Sequence, residues 1–290
     1  MSPVLDNAPP RRTRWPEFSH VVFDCDSTLS SVEGIDVLAE GLGLEEEIAA
    51  LTDAAMAGEI DLSDIYGARL EMLQPTERAV AGLRSAYKTH VVPDAREVIA
   101  ALREIDIDVY VVSGGLVEPV VEFAVHLGID ANNVRGVQTH YDELSGDWWR
   151  ADSDEKSFAG FEQGALTRTD GKPEVIRDLL AGTSGLTMLV GDGASDAQAA
   201  GAVDMFVGFG GVTCRQRVAE RALVYISASS LAPVLPIAAG PGGRERLSSS
   251  NARETFDRGL EIIEKDVLDV TFQDDRKRTQ LLAAFARSRG

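Results

Sequence analysis

Three short apolar runs in the first two thirds of the chain each stop at a small or acidic residue. They occupy residues 21–23, 109–112 and 188–190. Apolar runs of this length, ended by polar residues or glycine, are typical of buried parallel strands whose carboxyl ends open into loops. The pattern therefore predicts strands at these three places.

Helical patterns separate the apolar runs. Residues 94–103, 116–127 and 173–180 place apolar side chains three and four positions apart, as amphipathic helices do. Strands and helices that alternate in this way predict an α/β fold built on a doubly wound parallel sheet. Ligands bind such sheets beyond the carboxyl ends of the strands, so a site is expected where the apolar runs stop.

Two stretches depart from this alternation. Residues 33–87 show four helical segments and no strand, which predicts a helical cap inserted into a sheet domain formed by residues 20–32 and 88–237. Residues 135–170 are rich in glycine, aspartate and aromatic residues, and we predict a β-hairpin or flap at the edge of the sheet. Residues 1–19 are expected to form a flexible N-terminal arm.

The composition changes after Ile237, where Ala-Ala-Gly-Pro-Gly-Gly is typical of a linker. Residues 238–290 are predicted to be a linker followed by a helical tail, because 251–287 form a charged helical pattern with an apolar face. The apolar residues of that face are Phe256, Leu260, Ile263, Val267 and Leu268. Three roles stay open for the tail: a dimerisation helix of a homodimer, a packing extension and a partner-binding segment. Its spacing favours packing.

Charge and composition exclude several classes of protein. The formal net charge of −19, without a cluster of Lys or Arg, argues against nucleic acid or an anionic membrane as the main partner. No run approaches the roughly 20 apolar residues of a membrane span, and we expect a cytoplasmic protein. Cys25 and Cys214 are the two cysteines, too far apart to indicate a disulfide framework or a zinc site. The four histidines show no metal-ligand spacing.

The most specific motif is Asp24-Cys25-Asp26-Ser27-Thr28, directly after the first apolar run. Two carboxylates two positions apart in a tight turn can face one crevice, one to attack and the other to transfer a proton. A carboxylate that attacks a phosphate needs charge neutralisation, which a divalent cation with oxygen ligands supplies. Asp192, with Asp196 beside it, would complete a site with Asp24 and the backbone carbonyl of Asp26. A pair of acids in a solvated turn is the ordinary alternative.

Three further segments come after predicted strands or before a predicted helix. Ser113, followed by two glycines, can offer a hydroxyl and backbone N–H groups to phosphate oxygens. Lys172 precedes the Pro173 helix start, so its ammonium and the helix N-terminus can both face an anion. Residues 191–196 place two acids on a glycine-rich turn. Each segment alone is ordinary; together they predict a phosphate site.

These segments resemble those of the haloacid dehalogenase superfamily, and within it the phosphoserine phosphatase branch, over roughly residues 20–235. The resemblance implies that Asp24 is the nucleophile, that Asp26 is the general acid and base, and that Mg²⁺ is held by Asp24, Asp26 and Asp192. It also implies that Ser113, Gly114 and Lys172 hold phosphate. The matching segments are residues 23–28, 33–36, 55–58, 69–75, 113–115, 191–196 and 208–211.

The substrate that the resemblance implies, phosphoserine, carries an ammonium and a carboxylate besides its phosphate. A selective pocket therefore needs an acid and a base away from the metal, and Glu33 and Arg69 are suitable. The resemblance adds Met56 as an apolar wall and Arg215 as a further contact. The alternatives are a helix N-terminal charge for Glu33, a solvated position for Arg69 and a cap-core position for Met56.

Two more residues belong to the candidate substrate site. Gly115 follows the phosphate-binding pair, and Ser195 stands where the similar sequences have Thr, a change that keeps the hydroxyl. The segment 138–170 matches poorly and is the region expected to alter substrate choice.

Three functions are consistent with these residues. The first is hydrolysis of O-phospho-L-serine, the last step of a phosphorylated route to serine. The second is a related phosphatase or phosphotransferase acting on another small phosphorylated metabolite. The third is a non-catalytic module on the same fold; the intact set Asp24, Asp26, Ser113, Lys172 and Asp192 argues against it.

Overall fold

The computed structural model describes residues 15–56, 62–147, 149–150, 155–265 and 268–288. A seven-stranded sheet in the order β3-β2-β1-β6-β7-β8-β9 forms its centre, and a separate two-stranded sheet pairs β4 with β5. The strands are β1 (His20–Phe23), β2 (Asp108–Leu116), β3 (Val134–Val137), β4 (Thr139–Tyr141), β5 (Phe158–Phe161), β6 (Thr187–Gly191), β7 (Met205–Phe209), β8 (Val224–Ile226) and β9 (Val270–Phe272).

Helices cover the sheet and form the cap. The helices are α1 (Gly34–Leu42), α2 (Glu45–Met56), α3 (Leu62–Leu73), α4 (Glu77–Thr89), α5 (Ala95–Glu104), α6 (Val117–Leu127), α7 (Lys172–Leu179), α8 (Ala194–Ala199), α9 (Gln216–Arg221), α10 (Val234–Ala239), α11 (Gly243–Arg246), α12 (Ser250–Lys265) and α13 (Asp275–Ser288). The parallel strands and flanking helices confirm the predicted doubly wound α/β class. No helix in the described residues is long and apolar enough to cross a membrane.

The central strand β1 sets the position of the site. Its four residues are all buried, and it pairs in parallel with β2 on one side and β6 on the other. In this register Phe23 lies opposite Val111 and Val190. The residues that follow these three positions therefore meet at one edge of the sheet, the carboxyl edge.

The helices α1–α4 form the cap between β1 and α5. The chain leaves the core and returns to it at one place, because Ser31 N donates to His90 O at 2.8 Å and Val92 N donates to Leu29 O at 2.9 Å. Thr76 begins α4 by accepting from Ala79 N at 3.2 Å, a typical N-cap. The cap is thus a helical insertion attached to the core by a short paired hinge.

The hairpin β4–β5, which we call the flap, contacts the cap rather than extending the main sheet. Its strands are antiparallel. The rings of Tyr66 in α3 and Phe161 in β5 lie 5.4 Å apart, and Glu77 N donates to Lys156 O at 3.0 Å. The flap therefore connects the cap to the edge of the core; Trp148 lies outside the described residues.

Residues 15–19 of the predicted N-terminal arm pack against the core. Trp15 and Phe18 are buried, and Trp15 Nε1 donates to Ile237 O at 2.9 Å. The expectation of a flexible arm up to residue 19 is therefore corrected for residues 15–19. Burial of a large indole with a satisfied N–H gives the reason, while residues 1–14 lie outside the described part of the chain.

The tail also differs from its prediction. The supposed linker begins inside α10, whose six residues are all buried, and β9 adds an antiparallel strand to the main sheet beside β8. The apolar face of α12 packs on α5 and α10 of the same chain, which is the packing role that its spacing favours. Leu268 is 76% exposed and does not belong to this face, and Val267 lies outside the described residues.

Candidate active site

Asp24 lies at the carboxyl edge, beside a buried lysine. It follows β1 directly, and its backbone N donates to Val190 O at 2.9 Å. The ammonium of Lys172, the first residue of α7, is 3.0 Å from Asp24 Oδ1 and 2.6 Å from Asp196 Oδ1. Burial alone would lower the pKa of Lys172, but the two carboxylates raise it above its ordinary value. The lysine therefore stays charged and offsets negative charge here.

Asp26 has a different environment from Asp24. Its Oδ1 accepts from Gly34 N and from the Tyr87 hydroxyl, both at 2.8 Å, and its Oδ2 accepts from Ser113 Oγ at 3.3 Å. Burial, helped by the nearby charges of Glu33 and Asp24, raises the pKa of Asp26 to about 7. Two neighbouring carboxyl groups with such different environments can serve as nucleophile and acid.

A cavity of about 340 Å³ opens above these two acids. It is lined by residues of the sheet edge and of the cap, and it brings together nearly all the residues predicted from the sequence. Those lining it are Asp24, Asp26, Glu33, Arg69, Ser113, Gly114, Gly115, Lys172, Asp192, Ser195 and Arg215. Asp196 is buried behind the floor, and the side chain of Met56 lies outside the described part of the chain.

The segment Ser113–Gly115 passes close to Asp26. Gly115 N donates to Ser113 Oγ at 2.9 Å. A Cβ at residue 115 would stand 2.8 Å from Asp26 Oδ2, so only glycine lets the backbone come this near to the acid. The segment thus presents a hydroxyl and backbone groups to whatever lies between it and Asp24.

The cavity wall carries one acid and two bases above the floor. Glu33 precedes α1 and accepts from Ser27 Oγ at 2.7 Å, while Arg215 Nη2 lies 3.6 Å from Glu33 Oε1. Arg69 comes from α3 of the cap, and its buried Nε has no hydrogen-bond partner among the described residues. A buried donor without a partner is costly, so a ligand acceptor at Arg69 would relieve that cost.

Three carboxylates can hold a cation at the floor. Oxygen atoms of Asp24, Asp192 and Asp196 lie within 4.8 Å of one another, and Asp24 Oδ1 accepts no hydrogen bond from the described residues although the Lys172 ammonium is near. Carboxylate oxygens suit hard divalent cations, and the two nearby cations, Lys172 and Arg215, do not neutralise three acids. The donor set therefore fits a divalent metal.

Two details qualify the predicted metal ligands. Asp196 is already engaged, since it accepts from Lys172 Nζ at 2.6 Å and from Gly193 N at 3.0 Å. The side chain of Asp26 is not part of the acidic cluster, because its oxygens face Gly34, Tyr87 and Ser113. That Asp26 binds the metal remains a prediction, and it applies to the backbone carbonyl of Asp26. Asp192 Oδ2 contacts the guanidinium of Arg215, which occupies one face of that carboxylate.

Two functional candidates were missed in the sequence. Tyr87 in α4 donates to Asp26, and Tyr66 in α3 donates to Gly114 O at 2.9 Å. Both hydroxyls reach from the cap to the core. Their positions fit the apolar pattern of cap helices, and no local signal shows where a hydroxyl at the end of such a ring points.

Cys25 lies between the two acids but faces the core. It is fully buried, and burial, together with the charges of Asp26 and Asp24, raises the pKa of the thiol well above its ordinary value. A protonated, inaccessible thiol is a poor nucleophile, so Cys25 has a packing role.

Comparison with known proteins agrees with this geometry. The family model of the haloacid dehalogenase-like hydrolases matches residues 18–204. The phosphoserine phosphatase of Mus musculus is 34% identical over 209 residues, which cover 71% of this chain and 88% of that protein. The chloroplastic phosphoserine phosphatase of Arabidopsis thaliana is 32% identical over 72% of this chain and 68% of its own length.

A solved structure shows the same architecture. The phospho-aspartyl intermediate analogue of a phosphoserine phosphatase superposes with a TM-score of 0.61 and 25% identity, covering 76% of this chain and 98% of the other. This chain therefore belongs to the haloacid dehalogenase-like hydrolases and, within them, to the phosphoserine phosphatase family.

Proposed function

We propose that this chain hydrolyses O-phospho-L-serine to L-serine and inorganic phosphate through a phosphoryl group carried by Asp24. One observation carries the proposal: Asp24 and Lys172 form the floor of a cavity whose wall holds Glu33 and Arg69. The relatives of this chain are phosphoserine phosphatases, which supports both the reaction and its substrate.

The metal that the floor fits is proposed to be Mg²⁺. Asp24, Asp192 and the backbone carbonyl of Asp26 would hold it, with Asp196 behind them bound to Lys172. When bound, the cation neutralises charge on the phosphate and on the attacking carboxylate. Oxygen ligands of this kind are those that Mg²⁺ prefers.

The phosphate would lie between Asp24 and the segment Ser113–Gly115. The Ser113 hydroxyl, the backbone N–H of Gly114 and the Lys172 ammonium are the proposed contacts to its oxygens. Lys172 is held by Asp24 and Asp196, so its charge is in place before substrate arrives. Such fixed charges cost no reorganisation during the reaction.

In the first step a carboxylate oxygen of Asp24 attacks phosphorus, and an aspartyl-phosphate forms. The bond between phosphorus and the seryl oxygen breaks, and its electron pair stays on that oxygen, which takes the proton of Asp26. The raised pKa of Asp26, about 7, keeps this proton available at neutral pH. L-serine leaves.

In the second step Asp26 acts as the base. Its carboxylate takes a proton from water, the water oxygen attacks phosphorus, and the bond between phosphorus and Asp24 breaks. Inorganic phosphate is released and Asp24 regains its carboxylate. Asp26 is protonated again and ready for the next substrate.

The two charged wall residues would select the amino acid. Arg69 is proposed to bind the substrate carboxylate through the guanidinium whose Nε has no partner in the described part of the chain, and Glu33 is proposed to bind the ammonium. A cavity of about 340 Å³ lies at the small end of the roughly 300–1,000 Å³ of ligand pockets, which suits a small metabolite. Met56 is proposed as an apolar wall, and Ser195 and Arg215 as further substrate contacts.

The test is phosphate release by the purified protein with Mg²⁺, comparing L-phosphoserine with phosphothreonine, phosphohomoserine, sugar phosphates and p-nitrophenyl phosphate. We expect the largest kcat/KM for L-phosphoserine and loss of turnover with EDTA. Preference for another phosphomonoester would contradict the proposed substrate but would agree with phosphoryl transfer through Asp24. Transfer of phosphate to an added alcohol in place of water would identify a phosphotransferase.

A further inference from the structure

The two oxygens of Asp26 are held unequally. Oδ1 accepts two hydrogen bonds of 2.8 Å, from Gly34 N and from the Tyr87 hydroxyl. From the residues that the structure describes, Oδ2 accepts a single longer bond of 3.3 Å, donated by Ser113 Oγ. Hydrogen bonds of about 2.8 Å are near the ideal length, whereas 3.3 Å is at the weak end. Hydrogen bonds therefore hold Oδ1 firmly, whereas Oδ2 is held weakly and is nearly free.

The free oxygen faces the phosphate side of the cavity. Oδ2 is the atom nearest to the position that a Cβ at Gly115 would take, at 2.8 Å, and Ser113 is its hydrogen-bond donor. The other oxygen, Oδ1, faces the start of α1 and the end of α4, where the hinge joins the cap to the core. A proton on Oδ2 would thus be next to the departing group, and a proton on Oδ1 would face away from it.

The Tyr87 hydroxyl is fixed from two directions. Its ring stacks on Phe123 of the core helix α6, with ring centroids 5.4 Å apart and an interplanar angle of 28°, and the side chain is buried. A Cβ at Gly34 would stand 2.4 Å from the hydroxyl oxygen, so the absence of a side chain there provides the room that the hydroxyl occupies. Position and direction of the donor are set before substrate binds.

We infer that Tyr87 is a positioning residue that directs the proton of the catalytic acid. Because the Tyr87 hydroxyl and the Gly34 N–H both donate to Oδ1, that oxygen remains an acceptor, and the proton is carried on Oδ2. When the bond between phosphorus and the leaving oxygen breaks, its electron pair stays on that oxygen, which takes the proton from Oδ2. The inference rests on the proposed function, in which Asp26 is the acid.

The dependence of kcat/KM on the leaving group distinguishes a proton-positioning role of Tyr87 from a role in packing alone. An alkoxide such as that of serine is a poor leaving group and needs the proton, whereas p-nitrophenolate leaves readily without one. Loss of correct proton placement lowers kcat/KM for the alkyl phosphate much more than for the aryl phosphate. A general loosening of the site would lower both by the same factor.

The test compares Tyr87→Phe with wild type, both with Mg²⁺, on L-phosphoserine and p-nitrophenyl phosphate. We expect kcat/KM for the alkyl ester to fall by about 10- to 100-fold, part of the roughly 10²–10⁴-fold that a general acid contributes, while the aryl ester changes less than about threefold. Tyr141→Phe is the control, since its hydroxyl accepts from Thr139 outside the active-site cavity; the ratio of the two esters should not change.

Gly34→Ala provides a second route if Tyr87→Phe folds poorly, because it keeps the phenol and displaces its hydroxyl. The same selective loss is expected. Equal losses on both esters, or no loss in either variant, would overturn the inference. If wild type cleaves another alkyl phosphate but not L-phosphoserine, the proposed substrate fails, and the comparison is made on that alkyl ester. A failure of the proposed substrate is therefore distinguishable from a failure of the role inferred for Tyr87.

Discussion

The carboxyl edge of the sheet and the C-terminal tail use charge in opposite ways. At the edge, Asp24, Lys172, Asp192 and Asp196 are all buried, so that three buried acids lie beside one buried ammonium and the partly exposed guanidinium of Arg215. In the tail, α12 buries apolar residues such as Phe256 and Leu260 and leaves its charges exposed. Burying like charges costs stability, whereas burying apolar surface supplies it. The edge is built for chemistry, and the tail helps to hold the fold that carries it.

The tail reaches the core through specific contacts. Arg258 Nη2 lies 2.5 Å from Asp94 Oδ1 at the start of α5, and Ser249 Oγ donates to Glu104 Oε2 at the end of α5 at 2.8 Å. Within the tail, Phe256 packs edge-on against Phe285 of α13 with centroids 5.8 Å apart. The family match ends at residue 204, before the tail begins. We therefore expect changes in the tail to alter stability and changes at the edge to alter turnover.

The largest expected effect is at the edge. Asp24→Asn should lower kcat/KM by about 10⁴-fold or more, since the amide cannot carry the phosphoryl group and loss of a nucleophile costs at least that in comparable enzymes. The Tm should not fall, because one of several buried like charges has been removed. Asp178→Asn, an exposed position in α7, is the control. A large drop in Tm with turnover retained would break the contrast between edge and tail.

The second effect is on the stability of the tail. Leu260 is 1% exposed, and Leu260→Ala should lower the free energy of unfolding by about 2–4 kcal/mol because it leaves a cavity. Urea unfolding measures this change, with Glu261→Ala on the exposed side of the same helix as the control. The kcat/KM of folded Leu260→Ala should match wild type. A loss of kcat/KM in the folded variant would contradict this expectation and show that the tail contributes to the active site.

The third effect sharpens the difference between floor and wall within the site. Arg69→Met should raise the KM for L-phosphoserine by about 10- to 100-fold, the range of one charge-assisted contact of roughly 1.5–3 kcal/mol. It should leave p-nitrophenyl phosphate, which has no carboxylate, nearly unchanged. Equal effects on both substrates would show that Arg69 supports the catalytic floor rather than the amino acid.

The smallest effect is a pH dependence where the tail begins. Glu104 accepts from the hydroxyls of Ser248 and Ser249 at 2.7 and 2.8 Å and from the backbone N–H groups of both residues, and these four bonds lower its pKa from 4.5 to about 2. A lowered carboxyl pKa stabilises the fold above the unfolded value of 4.5 and loses that contribution as the pH falls towards 2. The Tm difference between wild type and Glu104→Gln should shrink over this range. A Tm difference that stays constant between pH 4.5 and pH 2 would contradict a contribution from the ionised Glu104.

Much of the catalytic edge was predictable because its residues follow directly from short apolar runs. Asp24, Ser113 and Asp192 each lie within two residues of positions that pair in the parallel register, so strand order alone brings them together. Lys172 comes from a helix start and is marked by the following Pro173. Local patterns and parallel geometry are sufficient for these four.

Long-range packing decided the features that the sequence did not reveal. The strand β9 is three residues long within a charged segment, which is too short for a periodic signal. Trp15 is buried against residues that come more than 200 positions later, Ile237 of α10 and Phe272 of β9. Tyr87 reaches Asp26 from 61 positions away, and the contact depends on how the cap closes on the core. None of these follows from neighbouring residues.

The measurement that tests the central claim most directly is chemical trapping of the phosphorylated enzyme. The protein, with Mg²⁺ and L-phosphoserine, is quenched during turnover and treated with borohydride, which reduces an acyl phosphate to an alcohol. Peptide mass spectrometry should then find homoserine in place of Asp24 and unmodified aspartate at residues 26, 192 and 196. Trapping at another residue, or full turnover with no residue trapped, would contradict Asp24 as the carrier of the phosphoryl group.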